Sequence, residues 1–237
     1  MKNNIIVSAL IISIALVTSA FVFGEFLYKS REQVKTIKVV GSEKEFYEAD
    51  MVKWKMSLEE VSKVNEVKKG YEKLKEKKEK LMKVLLEKGI QKENITFKPI
   101  NVYDDYDRNG QVSGNKLNQQ VYIISKKVEL IEKIAINPTE LFEKNIFVKY
   151  SNLEYFNSKV DEIKKELLAK ATVNAKERAE KILENTDIKV DKMMSVRAGV
   201  FQITEPYSTR MESYGVYNTS TKKKQIRVTV HTVFTLK

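Results

Sequence analysis

The chain has no cysteine and one histidine, His231, so several kinds of chemistry are excluded. Without cysteine it cannot form a disulfide, a thiolate nucleophile, a cysteine-based zinc site or a lipid attachment at an N-terminal cysteine. A lone histidine cannot build a multi-histidine metal site. Because His231 falls on the polar face of a predicted strand, we interpret it as a surface or pairing residue.

Glycine and proline are also scarce, with 8 and 3 residues among 237, so long regular elements are expected. The sequence lacks the glycine-rich loops Gly-x-Gly-x-x-Gly and Gly-Lys-Ser/Thr that cradle phosphates, and the Gly-x-Ser-x-Gly turn of many serine hydrolases. We therefore predict a protein that is not an enzyme, with no catalytic residue and no cofactor.

Arginine is rare although the net charge is +11, because lysine supplies most of the positive charge. Proteins that read nucleic-acid sequence usually rely on the forked guanidinium group of arginine. Diffuse lysine is more typical of a solvated basic surface, or of one attracted to anionic lipids or envelope polymers. We predict no nucleic-acid partner.

A run without charged residues extends from residue 5 to residue 23, close to the length that crosses a bilayer as a helix. One interpretation is an uncleaved anchor. The other is a signal peptide cleaved near Thr18-Ser19-Ala20, but the apolar run continues past that site. We favour an anchor over residues 1–27, followed by a linker over residues 28–35.

The orientation of this segment is not fixed by charge. Lys29, Arg31, Lys35 and Lys38 follow it, so the positive-inside count does not favour export of the C-terminal side. That rule weakens for long translocated domains. We predict an extracytoplasmic domain, periplasmic or on the cell surface, with a cytoplasmic domain as the open alternative.

The remaining residues 36–237 predict a mixed α+β domain in which one order of elements occurs twice. Alternating apolar residues predict strands, and apolar residues three or four apart predict helices. In the first unit, residues 46–128, we expect a strand at 52–58, a helix at 62–88, and strands at 95–103 and 117–128. In the second, residues 146–237, we expect a strand at 146–150, a helix at 158–185, an extended segment at 188–203 and a strand at 226–236.

Four stretches resemble the SIMPL-domain family and occur along the chain in the same order as in that family. They are residues 171–182 (ATVNAKERAEKI), residues 40–54 with Gly41, Ala49-Asp50 and Trp54, residues 199–203 (GVFQI) and residues 223–228 (KKQIRV). The resemblance implies an α+β module in a bacterial periplasmic or surface protein, some relatives of which assemble into oligomers. It implies no established reaction and no catalytic residue.

The segment 105–110 is a weak metal candidate. Asp105, Asp107 and Asn109 match the start of an EF-hand loop, but Lys116 stands at the twelfth position, where a bidentate glutamate is needed. The alternative is a hairpin whose turn contains Asn109-Gly110.

Two loops, residues 103–116 and 205–222, occupy the same place in the two units and are rich in tyrosine. Exposed tyrosine is common at interfaces because it combines apolar area with a polar tip. We predict that Tyr106, Tyr214 and Tyr217 contact a partner or a second copy of the chain. The alternative is mobile hairpin tips that bind nothing.

Together these features predict a membrane-anchored envelope module that acts by protein binding or self-assembly, with an envelope protein or a homo-oligomer as partner. One alternative is an enzyme with a carboxylate site in the groove between the units. The other is a basic structural protein that binds anionic lipid or cell-wall polymer.

Overall fold

A computed structural model describes residues 2–30 and 34–237 and shows an α+β fold with one long apolar N-terminal helix. The helices are α1 (Lys2–Ser30), α2 (Val67–Glu87), α3 (Val128–Ile136), α4 (Thr139–Glu143) and α5 (Val160–Leu183). The strands are β1 (Thr36–Glu48), β2 (Met51–Lys63), β3 (Ile95–Phe97), β4 (Asn101–Tyr106), β5 (Val112–Ser125), β6 (Val148–Phe156), β7 (Val190–Ala198), β8 (Gln202–Thr204), β9 (Val216–Tyr217) and β10 (Lys223–Leu236).

Helix α1 has the length and composition of a membrane anchor or a signal sequence. Its 23-residue window Ile6–Tyr28 has a mean hydropathy of 2.6. The hydroxyls of Ser13 and Thr18 donate to the helix's own carbonyl oxygens, at 2.8 and 2.6 Å. These polar side chains therefore satisfy themselves within the helix, as a lipid environment requires.

The first sheet has the strand order β3-β5-β2-β6, with β4 also paired to β5. Strands β2 and β5 pair antiparallel over twelve residues each, from Val52 to Lys63 of β2, and Trp54 lies opposite Ile123. The strand predicted at 95–103 is in fact two short strands, β3 and β4, on either side of Pro99. Proline has no N–H to donate to the ladder, so it interrupts the pairing at this point.

Helix α2 begins at Val67, five residues later than predicted. Strand β2 continues to Lys63, and Ser62 pairs with Asn115 of β5. Asn65 then turns the chain in a left-handed conformation, with φ of 67°. The prediction was wrong at this boundary because pairing with β5 extends the strand into residues whose spacing also fits a helix.

The second sheet has the order β1-β10-β8-β9, with β7 also paired to β10. Strand β6 follows the first unit in sequence, yet it pairs with β2 in the first sheet. Strand β1 precedes that unit and pairs with β10 in the second sheet. The two predicted units therefore do not correspond to the two sheets, although each keeps its order of elements.

The chain forms two compact units, each built from separated segments. We call Ser42–Asn174 with Ala198–Val230 the central unit, and Met1–Gly41 with Ala175–Arg197 and His231–Lys237 the terminal unit. The central unit has a large core in which α2, α3 and the first sheet bury residues such as Trp54, Leu81 and Ile131. The terminal unit has a small one, made by Val39, Ala179 and Phe234.

The fully buried side chains of helix α5 are those of Leu167 and three alanines. Ala171, Ala175 and Ala179 are all fully buried, as their spacing of four residues predicts. Ile182, which was predicted on the same face, is 63% exposed. A buried stripe that advances by four residues reaches Leu183 next, and Leu183 is half-buried.

Candidate interaction surface

Two stretches of the central unit carry the tyrosines predicted to contact a partner, and the structure orders these stretches in different ways. The first, residues 103–116, is mostly a regular hairpin of β4 and β5, so the loop itself is only residues 107–111. The second, residues 205–222, is irregular apart from the short strand β9.

The tip of the first hairpin is stabilised by one carboxylate. Asp107 Oδ1 accepts hydrogen bonds from the backbone N–H groups of Asn109 and Gln111, at 2.8 and 2.9 Å. Gly110 adopts φ of 74°, which its lack of a side chain permits. Tyr106 stands at the end of β4 and is 60% exposed.

The same contacts bear on the weak metal candidate. Asp105 forms an ion pair with Lys116 at 3.1 Å, and Asp107 already bonds the turn. Within the described chain, no three His, Cys, Asp or Glu side chains are grouped so as to hold a metal ion. A cation at Asp105, Asp107 and Asn109 would have to compete with these bonds.

Backbone hydrogen bonds fasten the second loop, residues 205–222, at several points. Asn218 donates its N–H to the carbonyl of Ile203 at 2.8 Å, and Tyr155 donates to the carbonyl of Thr219 at 2.7 Å. Near the loop's end, Ala49 donates to the carbonyl of Lys222 at 2.9 Å. Residues 218–222 are therefore held by β8, by the edge of β6 and by the turn after β1.

The first half of this loop is fastened mainly by side chains. Gln202 Nε2 donates to the carbonyl of Glu212 at 2.8 Å, and the ring of Tyr207 lies 5.5 Å from that of Phe46. Gly215 has φ of 88°, and a Cβ there would lie 2.7 Å from the carbonyl oxygen of Phe201. Glycine is required at this position because the loop passes so close to the backbone after Val200.

The loop displays its tyrosines from this ordered backbone. Tyr214 is 99% exposed, next to Gly215. Tyr217 is 45% exposed, with its ring 6.3 Å from that of Phe156. Burial raises the pKa of the Tyr217 hydroxyl, although Lys164 lowers it in part. In the part of the chain that the structure describes, no ring contact or hydrogen bond joins Tyr106 to Tyr214 or Tyr217.

A charged network lies at the end of the second loop. Lys222 Nζ lies 2.7 Å from Glu129, 3.3 Å from Glu48 and 3.7 Å from Glu132. The hydrogen bond from Lys222 lowers the pKa of Glu129. Tyr155 donates its hydroxyl to Glu132 at 2.8 Å, and burial together with this bond raises the pKa of Tyr155 to about 12.

Lys224 is fully buried in β10, two residues beyond this network. Its ammonium group donates to the carbonyl oxygen of Asn218, and burial lowers the pKa of Lys224 to about 8. Sequence analysis did not single out this residue. The signal was present, because Lys224 extends the inward-facing series Ile226, Val228 and Val230 by one step of two residues.

Two grooves of the central unit were also not predicted. One, of about 630 Å³, lies between α2 and β3, with Met82, Leu86 and Phe97 in its lining and Lys78 Nζ 4.8 Å from the Phe97 ring centroid. The other, of about 460 Å³, contains the stacked rings of Phe142 and Phe147, 5.8 Å apart. Neither had a sequence signal, because each joins residues from separate elements.

Residues in the stretches that carry the family resemblance form hydrogen bonds that stabilise each unit. In the central unit, Asn174 Oδ1 accepts from the backbone N–H of Ser42 at 3.1 Å, and Trp54 Nε1 donates to Ser151 Oγ at 2.9 Å. In the terminal unit, Arg178 donates to the carbonyl of Val40 at 3.0 Å. Asparagine and arginine of α5 thus bond the backbone of β1.

The Ala49-Asp50 pair joins the turn between β1 and β2 to the start of α5. Asp50 Oδ1 accepts from the backbone N–H of Ser158 at 2.7 Å. Burial raises the pKa of Asp50, but the hydrogen bonds from Ser158 outweigh it and the net pKa is lowered. His231 is exposed in the terminal unit, as expected for a surface residue.

The sequence profile of the SIMPL family, described as a protein of unknown function (DUF541), matches residues 37–234. The chain belongs to the SIMPL family. A search of curated proteins finds no match. The SIMPL match begins in β1 and ends in β10, so it covers both sheets and excludes α1.

Proposed function

We propose that this SIMPL protein is a single-pass membrane protein whose domain lies outside the cytoplasm and acts by binding another protein or a second copy of the chain. Helix α1 supports the anchor, since the window Ile6–Tyr28 is long and apolar enough to cross a bilayer. The placement of the domain outside the cytoplasm rests on the resemblance to the SIMPL family, which implies a periplasmic or surface protein.

The observation that carries the binding proposal is the exposure of Tyr214 and Tyr217 on a loop with a fastened backbone. A loop that is already ordered loses little conformational entropy when a partner binds. Tyrosine adds a large contact area with few rotatable bonds. Mobile tips that bind nothing would not need bonds to β8, the edge of β6 and the turn after β1.

Two paired carboxylates of the central unit, Glu129 and Glu140, do not suit the role of a general acid. Hydrogen bonds from Lys222 and Lys88 lower the pKa values of Glu129 and Glu140. These two carboxyl groups are therefore held in the ionised form by their lysine partners. A carboxylic acid acting as a general acid near neutral pH would need a raised pKa.

Arginine use supports the proposal that no nucleic acid is bound. Arg178 donates to a backbone carbonyl, and Arg210 pairs with Glu212. Each of these two guanidinium groups has a partner within the protein, which leaves it fewer donors for bidentate contacts to a base.

The cellular placement is tested with a reporter fused after Lys237. We expect activity from a reporter that works only outside the cytoplasm, and none from one that works only in the cytosol. The reverse result would reject the extracytoplasmic domain, whatever the domain binds.

Binding is tested by changing Tyr106, Tyr214 and Tyr217 to serine and crosslinking intact cells. We expect the crosslinked species of the wild type to be lost, because the exposed rings supply the contact. Tyr71 and Tyr150 are exposed elsewhere and provide the control, Tyr71→Ser with Tyr150→Ser. An unchanged pattern in the loop variant, with normal folding by circular dichroism, would reject the tyrosine surface.

A further inference from the structure

The terminal unit has a cluster of lysines at the end of the second sheet that follows the anchor. Lys35 precedes β1, and its carbonyl accepts from the N–H of Leu236 at 2.9 Å. Lys189 and Lys237 exchange backbone hydrogen bonds of 2.8 and 3.0 Å. Lys192 donates its N–H to Thr235 Oγ1 at 3.0 Å. We call Lys35, Lys189, Lys192 and Lys237 the basic edge.

These side chains are exposed and mostly uncompensated. All four residues are exposed. Lys237 lies 3.7 Å from Asp191, which also accepts from Thr235 Oγ1 at 3.2 Å. Asp187, in the turn between α5 and β7, is the other acidic residue close in sequence to Lys189. Within residues 34–237, no acidic group lies at ion-pair distance from Lys35, Lys189 or Lys192. The basic edge therefore keeps a net positive charge.

Chain length restrains this edge near the bilayer. Helix α1 ends at Ser30, so residues 31–34 separate it from Lys35. At about 3.6 Å per residue, this connection spans at most about 18 Å. Lys29 and Arg31 lie in the same stretch of sequence, where Glu32 offsets one of their two positive charges. This short connection joins the anchor directly to β1, the strand that follows Lys35.

A tether of this length keeps the local concentration of lipid headgroups high around the basic edge, so even weak attraction is effective. Lysines near an anionic membrane are each attracted to the surface within about a Debye length. We propose that the basic edge binds anionic lipid headgroups and so sets how the domain stands on the membrane. The inference rests on the proposed anchor but holds for either side of the bilayer.

The test uses the full chain in lipid nanodiscs with or without anionic phosphatidylglycerol. Because the chain has no cysteine, Asn185→Cys carries a single fluorophore in the exposed turn between α5 and β7. Energy transfer to acceptor-labelled headgroups then reports how close this turn is to the bilayer. We expect higher transfer in anionic discs than in neutral ones, and a decrease as salt is added.

The deciding variant carries Lys35→Gln, Lys189→Gln and Lys192→Gln. Its anionic-disc transfer should fall to the neutral-disc level, because each removed charge lowers the equilibrium constant for headgroup contact about fivefold. The control carries Lys68→Gln, Lys75→Gln and Lys80→Gln, which remove the same charge from the exposed side of α2. It should behave as the wild type does.

Equal transfer in neutral and anionic discs would overturn the lipid contact. So would an equal loss in the α2 control, because the effect would then come from net charge alone. A chain that does not stay with the discs at all would overturn the anchor, and the lipid contact with it.

Discussion

Helices α2 and α5 occupy the same place in the repeated order of elements, yet they bury different kinds of side chain. Helix α2 buries Leu74, Leu81 and Leu85 in the core of the central unit. Helix α5 buries one leucine, Leu167, followed by Ala171, Ala175 and Ala179. Leucine fills the space between a helix and a sheet, whereas alanine lets the helix backbone come close to its neighbours.

The two helices are held in place by different interactions. The leucine stripe of α2 is stabilised by burial of apolar area, and the outer face is covered with lysine and glutamate. Helix α5 has alanine at three of its four fully buried positions, and it adds hydrogen bonds from Asn174 and Arg178 to the backbone of β1. On α5 the buried alanines must therefore stay small. On α2 the buried leucines must be large enough to fill the core.

The largest effect is expected from Leu81→Ala on α2. Removing a fully buried leucine leaves a cavity, so the free energy of unfolding should fall by about 3 kcal/mol. Urea unfolding of the full chain in detergent measures it. Leu86→Ala on the same helix is the control, since Leu86 is 44% exposed. Equal losses in the two variants would contradict the volume-filling role of α2.

The converse change, Ala175→Leu on α5, should cost about 2 kcal/mol because Ala175 is fully buried and a larger side chain would overpack its surroundings. Val173→Leu, at an exposed position of the same helix, should change the unfolding midpoint little. If α5 accepts leucine at position 175 without loss of stability, the close-approach explanation for its alanines is wrong.

Strands β5 and β10, which end the two predicted repeats, differ as well. Strand β10 buries Lys224, while β5 buries no lysine among its described residues. The folded pKa of about 8 lies below the usual 10.5, so the unfolded chain binds more protons between these values. Lys224 therefore makes the protein more stable as pH rises from about 8 to 10.5. Lys224→Met should remove this contribution.

Stability is measured by urea unfolding across that pH range. The difference between wild type and Lys224→Met isolates Lys224 from tyrosines and other lysines that titrate there. Lys223→Met is the control, because Lys223 is exposed. Parallel stability curves for wild type and Lys224→Met would show that folding does not lower the pKa of Lys224.

The smallest effect concerns how the two helices begin. No side chain caps α2 at Glu66, whereas Asp50 bonds Ser158 just before α5. Asp50→Asn should cost about 1 kcal/mol at neutral pH. Because the folded pKa of Asp50 is lowered, the wild type should lose this stability as pH falls through the carboxyl range, and the variant should not.

Asp187→Asn, at an exposed turn position, is the matched control for the acid range. Should the stability of Asp50→Asn fall with pH as steeply as that of the wild type, the bond to Ser158 would have no role in acid stability.

Local patterns in the sequence were enough for α1, for the two long helices and for the alternation of β2 and β10. These features depend on neighbouring residues, whose apolar spacing is fixed by helix or strand geometry. The family motif in α5 could also be recognised from a short stretch of sequence, because Ala171, Asn174 and Arg178 lie within three turns of one helix.

The tertiary structure alone decided which strands pair and which polar groups meet. Strand β6 joins β2, and Lys222 gathers three glutamates from distant segments. The basic edge likewise joins Lys35 to residues about 150 and 200 positions later. Such contacts depend on how apolar faces are buried together, and no short-range pattern encodes that choice.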